Sequence, residues 1–247
     1  MKKALFLSLG LAIALSPATA NAQIFNGTPL PLEYLDFVGG SGVGSTYGVQ
    51  VGPYTAHFEA NGITGRTTAS PQFSVYCVDY LHYASNSNGL VTVNAIGGDL
   101  TNTRLGDFGR YQRSAYLSSL FDSWQDHETA LETMFAGTNF SRNHVWGGLH
   151  SLIWDTATGP GNLGDNNERT WAARNYFASL ADDNAGSYDT TGWYVLSEAD
   201  VPLGHSYSGQ EFLMRTVEVP EPSTVLLMLT GIGLLAFASR RRFADIV

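Results

Sequence analysis

The pattern of hydrophobic and polar positions changes period twice along the chain. Tyr54 to Phe58 and Phe73 to Tyr83 alternate aromatic or β-branched residues with smaller or polar ones, the two-residue period of a half-buried strand. Gly39 to Gly52 is glycine-rich, with turn signals around short β-prone pieces. Asn86 to Gly89 reads as a turn, Leu90 to Ile96 as a strand, and Gly97-Gly98 as its end. Tyr111, Ala115, Leu117, Leu120, Phe121 and Trp124 then recur at helical spacing. Further helices are predicted over Glu128 to Phe135 and from Arg142 to about Thr156. Ser141 is the N-cap candidate of the latter, and Gly159-Pro160-Gly161 ends that region. Asp165 and Glu168 form a D-x-x-E capping box ahead of Trp171, Ala172, Tyr176 and Leu180. Gly192 to Leu196 and Glu211 to Val217 return to strand character. Strands, then helices, then strands predict one α+β domain, a β-rich, sandwich-like sheet with a central helical segment, and no internal repeat.

The two ends have a different character. Met1, Lys2 and Lys3 precede an apolar run from Ala4 to Leu15, which Ser16-Pro17 breaks. Ala20-Asn21-Ala22 supplies small residues for cleavage. This is the layout of a secretory signal peptide over residues 1–22, cut by signal peptidase between Ala22 and Gln23. The apolar run is too short to span a bilayer, which needs about 20 helical residues. At the other end, Pro220-Glu221-Pro222 is followed by an apolar stretch and then by Arg240, Arg241 and Arg242. Residues 223–239 are just long enough for a transmembrane helix. The basic cluster places residues 243–247 in the cytoplasm and the preceding domain, 23–218, outside.

This tail, residues 219–242, resembles the PEP-CTERM sorting signal of Gram-negative bacteria, also called the ice-binding protein C-terminal domain. All three parts, the Pro-Glu-Pro motif, the apolar helix and the arginine cluster, stand in order. The resemblance implies an exosortase as partner. That enzyme would cut near Pro220-Glu221-Pro222 and pass an inner-membrane intermediate on to the cell surface or the extracellular matrix.

Charge narrows what the exported domain can do. The whole chain of 247 residues carries a formal net charge of −9. Residues 23–218 contain eight arginines, no lysine and twenty acids, hence about −12. Such a domain is repelled by phosphate backbones and by anionic lipid, so nucleic acid is excluded as a partner and the C-terminal helix is the only expected membrane contact. The single cysteine excludes a disulfide scaffold and a four-cysteine zinc module. There is no G-x-S-x-G elbow, P-loop, EF-hand loop, H-E-x-x-H, H-x-H or H-x-x-H. Gly39 to Gly44 lacks the lysine of a phosphate loop. No cofactor and no metal site is expected.

Cys77 is the remaining reactive group. Tyr76-Cys77-Val78-Asp79 and Leu149-His150-Ser151-Leu152-Ile153-Trp154 resemble two motifs of bacterial thioester domains. These are an aromatic-Cys-aliphatic-Asp strand and a helix carrying an apolar-Gln-x-x-apolar-apolar motif. The resemblance implies that residue 150 lies beside Cys77. It also exposes a departure, because His150 stands where the family has its glutamine. The family's bond joins the cysteine sulfur to the glutamine carbonyl with loss of ammonia, and an imidazole has no carboxamide. A Cys77–His150 pair is the minimum for an activated thiolate, with Asp155 a candidate to orient the imidazole. The commoner condition of both residues is a packed core group.

The sequence therefore predicts an exported surface or matrix protein with a structural or binding role, not an enzyme. Its aromatic residues could offer platforms for an extracellular polysaccharide matrix. An extracellular enzyme using Cys77 and His150, and a degenerate thioester adhesin that binds non-covalently, are the alternatives.

Overall fold

The computed structural model describes residues 29–40, 45–46, 49–80, 89–158, 167–199 and 209–216. The signal segment with Ala20, Ala22 and Gln23, the motif Pro220-Glu221-Pro222, the span 223–239 and Arg240, Arg241 and Arg242 all lie outside them. Among the described residues, no helix is long and apolar enough to cross a membrane.

The strands are β1 (Leu32–Gly40), β2 (Ser45–Thr46), β3 (Val49–Gln50), β4 (Tyr54–Phe58), β5 (Phe73–Cys77), β6 (Gly89–Ala95), β7 (Trp193–Glu198) and β8 (Phe212–Arg215). Between β6 and β7 lie the helices α1 (Phe108–Ser119), α2 (Trp124–Met134), α3 (Arg142–Thr158) and α4 (Glu168–Asn184). A short 3-10 turn, Leu120–Ser123, joins α1 to α2. The α+β class and the order of strand and helix regions agree with the sequence.

The sheet is not sandwich-like. Six strands close into an antiparallel barrel in the order β1-β4-β5-β8-β7-β6, while β2 and β3 form a separate small ribbon. Closure depends on β1. Its first residues, Leu32 to Leu35, pair with β6, and Leu35 to Gly40 pair with β4. A register shift between Phe37 and Gly39 bends it between the two neighbours.

Inside the barrel β1 presents Leu35, β4 presents Ala56 and Phe58, and Phe73 and Val75 follow on β5, all buried. Glu33 also points inward and is fully buried. Arg66 answers it with two guanidinium nitrogens, Nε donating to Oε2 at 2.8 Å and a terminal nitrogen to Oε1. The amide of Leu30 also donates to Oε1, at 2.9 Å. A buried carboxylate is tolerable only when paired in this way.

Helix α3 is the centre of the helical layer, and every residue from Val145 to Trp154 is buried. It crosses α4 so closely at Gly148 that a Cβ there would lie 2.7 Å from the Arg174 amide nitrogen. Helix α4 buries Thr170, Ala173, Phe177 and Ala181. Its N-cap is Asn167, whose side chain accepts from the amides of Arg169 and Thr170. The expected box used Asp165, which lies outside the described residues; the cap is Asn167, two residues later, whose short amide side chain reaches the free N–H groups of the first turn.

Candidate functional site

Two regions hold the residues with chemical potential. The first is the seam where α3 meets the barrel. Cys77 ends β5 and is completely buried. Its thiol donates to the Asp79 carbonyl at 3.3 Å, and the Trp154 indole N–H donates to the sulfur at 3.2 Å. Gln210 borders the same sulfur and donates from Nε2 to the Asp79 carbonyl at 2.8 Å. Burial pushes the thiol up to about 12, against the smaller opposing effect of these hydrogen bonds.

His150 lies one helical turn before Trp154, and the two rings stack with centroids 5.0 Å apart and planes within 7°. The imidazole Nδ1 accepts from the Gly52 amide at 2.7 Å. The proton of the neutral ring is therefore on Nε2, which is buried without a hydrogen-bond partner among the described residues. Burial lowers this imidazole to about 3. Phe121 packs edge-on against both His150 and Trp146.

Thus the two short motifs meet, but through Trp154 rather than through His150. Cys77 bonds to the Asp79 carbonyl and Trp154, and His150 to Gly52, not to each other. The two pKa shifts also run opposite to those of a thiolate–imidazolium pair. Asp155 does not orient His150; it forms an ion pair with Arg174 of α4.

Gly52 shows why the seam is tight. Its backbone has φ +113, and a Cβ there would sit 2.1 Å from Cε3 of Trp146. Only glycine lets the amide reach His150 while the indole packs above it.

Beside the seam, a polar cluster secures the barrel end. Glu211 is buried and accepts from Tyr111 Oη at 2.7 Å, Ser197 Oγ at 2.6 Å and the Arg104 amide at 2.6 Å. Burial raises its carboxyl pKa and these bonds oppose the rise. Arg104 also pairs with buried Asp79 and donates to the Gly209 carbonyl at 2.7 Å. The aspartate of the Tyr76-Cys77-Val78-Asp79 motif is thereby a structural anchor.

The second region is an open groove between the end of α2 and the first turns of α4. Met134, Phe135 and Trp171 are 61%, 39% and 38% exposed. Ala172, Tyr176 and Leu180 continue the apolar wall, and Glu168, Asn175 and Ser179 place a carboxylate, an amide and a hydroxyl along it. Arg174 lies over the Trp171 ring at 4.9 Å. Tyr176 is held by its hydroxyl, 3.0 Å from His127 Nδ1, whose Nε2 is 3.3 Å from Ser123 Oγ. His127 is thus a half-buried strut rather than an exposed group. The sequence periodicity included Trp171, Ala172, Tyr176 and Leu180, but the deepest face of α4 is Ala173, Phe177 and Ala181.

The tail carries the family match. Residues 218–242 match the family model of the PEP-CTERM protein-sorting motif. The chain carries a PEP-CTERM sorting signal. That signal implies an exported protein processed at the membrane by an exosortase. No curated protein and no solved structure matches the PEP-CTERM chain.

Proposed function

We propose that the mature domain is a non-enzymatic binding protein of the cell surface or extracellular matrix, and that its ligand is an extracellular polysaccharide held in the α2–α4 groove. One observation carries the reading: an exposed aromatic wall, Phe135 and Trp171, runs beside polar groups of Glu168, Asn175 and Ser179. Sugar rings stack on aromatic faces while their hydroxyls need donors and acceptors at the rim, and this groove offers both. A net negative domain without lysine suits a neutral glycan better than an acidic one. The domain faces outward with residues 243–247 in the cytoplasm until the exosortase cuts near Pro220-Glu221-Pro222.

The test is affinity electrophoresis of the surface-recovered protein through gels containing polysaccharide from the producing cells. Retardation is expected, and Trp171→Ala should lower the affinity at least about tenfold while leaving the fold intact. Unretarded wild-type protein would overturn the glycan reading. Intact mass of the same material tests sorting. The expected species begins near Gln23 and ends near Pro220-Glu221-Pro222; a mass that retains the tail would mean a membrane-anchored protein.

A second reading has one specific support, the Trp154–Cys77 hydrogen bond between the two thioester-like motifs. On this reading the domain is a thioester scaffold whose glutamine became His150. Restoring the carboxamide with His150→Gln should let the Cys77 sulfur attack the side-chain carbonyl, forming an S–C bond and releasing ammonia. The variant would then weigh one ammonia less than its sequence. The wild type, whose Cys77 also borders Gln210, supplies the reference mass. A full-mass variant that is folded would end the scaffold reading.

A further inference from the structure

The outer wall of the barrel carries a cluster unconnected to either region. Asp36 on β1 stands directly opposite His57 on β4 in the strand register. Their neighbours Leu35, Ala56 and Phe58 are buried inside, so the alternation of the strands turns Asp36 and His57 outward. Glu59 follows two residues after His57 and returns to the same face. Its amide donates to the Tyr34 carbonyl at 2.9 Å, which carries the β1–β4 pairing one step beyond Phe58. All three residues are half-buried, and one ligand atom from each lies within 4.8 Å of the other two.

We propose that Asp36, His57 and Glu59 bind a divalent transition-metal ion of the zinc class. His57 Nε2 lies 3.7 Å from Asp36 Oδ2, beyond hydrogen-bond reach and an ion pair only when the imidazole is protonated. In a tetrahedral zinc site with bonds of about 2.0–2.2 Å, neighbouring donors stand roughly 3.4 Å apart. The spacings here, 3.7 Å for this pair and no more than 4.8 Å for any, close toward that value by side-chain rotation on the paired strands. Two carboxylates converge here, and among the described residues neither has an arginine in ion-pair reach; Arg66, the nearby cation in sequence, is turned to Glu33. An imidazole nitrogen with two carboxylates is the mixed donor set that suits zinc and its neighbours. Calcium prefers six to eight oxygens, which three side chains with one nitrogen do not supply. Three protein ligands leave a fourth position for water or an external ligand. The proposal is independent of the glycan groove, which lies on other elements.

The experiment uses protein recovered from the cell surface without a histidine tag, stripped with a chelator and titrated with Zn²⁺ by calorimetry. One ion per chain is expected, and Zn²⁺ should raise the unfolding temperature. His57→Ala and Glu59→Gln should each weaken binding at least about tenfold, and Asp36→Asn should do so without altering side-chain shape. His144→Ala, on α3, should leave binding unchanged. Co²⁺ should give a visible absorption band in the wild type that Zn²⁺ displaces and that His57→Ala lacks. Circular dichroism establishes that each variant is folded. No stoichiometric zinc, or zinc binding unchanged in a folded His57→Ala/Glu59→Gln double variant, would overturn the proposal.

Discussion

The seam at α3 and the groove at α4 are built from the same residue types and behave in opposite ways. Each has tryptophan, a second aromatic ring, a histidine and a carboxylate nearby. In the seam, Trp146, His150 and Trp154 are closed off by Phe121, Gly52 and β5, and the thiol and imidazole are both driven to their neutral forms. In the groove, Trp171 and Phe135 keep more than a third of their surface in water, while His127 braces Tyr176. The difference is one of enclosure rather than composition. Desolvation silences acid–base groups and leaves them as packing units, whereas a half-open aromatic wall retains surface that a ligand can cover.

The contrast can be broken most sharply at Cys77. Alkylation of the native protein at neutral pH should be on the order of 10³-fold slower than in denaturant, because the thiol must wait for opening of the seam. Rapid labelling of the folded protein, followed by mass spectrometry, would place Cys77 at an accessible site instead.

The next effect is on the seam's packing. Gly52→Ala should destabilise the domain by about 3 kcal/mol or more, combining backbone strain at φ +113 with the collision against Trp146. Denaturant unfolding measures this, and a loss under ~1 kcal/mol would mean that the seam is loosely packed.

Per pH unit, a smaller effect is expected from acid. Unfolded His150 takes up a proton below about 6.5, while the folded ring stays neutral down to about 3. Between those values the unfolded chain binds more protons, so acidification lowers stability, by at most ~1.4 kcal/mol per pH unit from this group. His150→Gln should remove that part of the slope. Identical slopes in the two proteins, measured by unfolding at a series of pH values, would show that the imidazole reaches solvent.

The smallest stability change belongs to the groove. Trp171→Ala, which removes among others its contact with Arg174, should cost no more than ~1 kcal/mol. A larger loss would make Trp171 part of the core and bring the two regions closer in character.

Much of the local structure could be read from the sequence because it is set by local periodicity. The alternation of Tyr54 to Phe58 marks β4 as observed, and the helical spacing from Tyr111 to Phe121 marks α1 and its 3-10 extension. β1 could not be read this way. Its inward position 33 is a glutamate, acceptable only because Arg66 arrives from a distant turn, so the polar–apolar alternation is inverted there. Closure of the barrel was equally hidden, since it rests on β1 pairing with β6, and no local pattern specifies a long-range register.

The sites divide along the same line. Tyr76 to Asp79 and Leu149 to Trp154 were visible as motifs, but their contact through Trp154 depends on how α3 sits on the barrel. The Asp36–His57–Glu59 set was invisible to a search for closely spaced histidines, because only strand pairing brings Asp36 beside His57.

Closure has a consequence for how copies of an exported domain meet one another. An open sheet would offer its neighbours a free edge with unpaired amides and carbonyls, and copies displayed side by side would risk joining strand to strand. Each of the six barrel strands here has a partner on both sides. Association through the barrel must therefore use side chains, so the residues facing outward, rather than the backbone, determine what it holds.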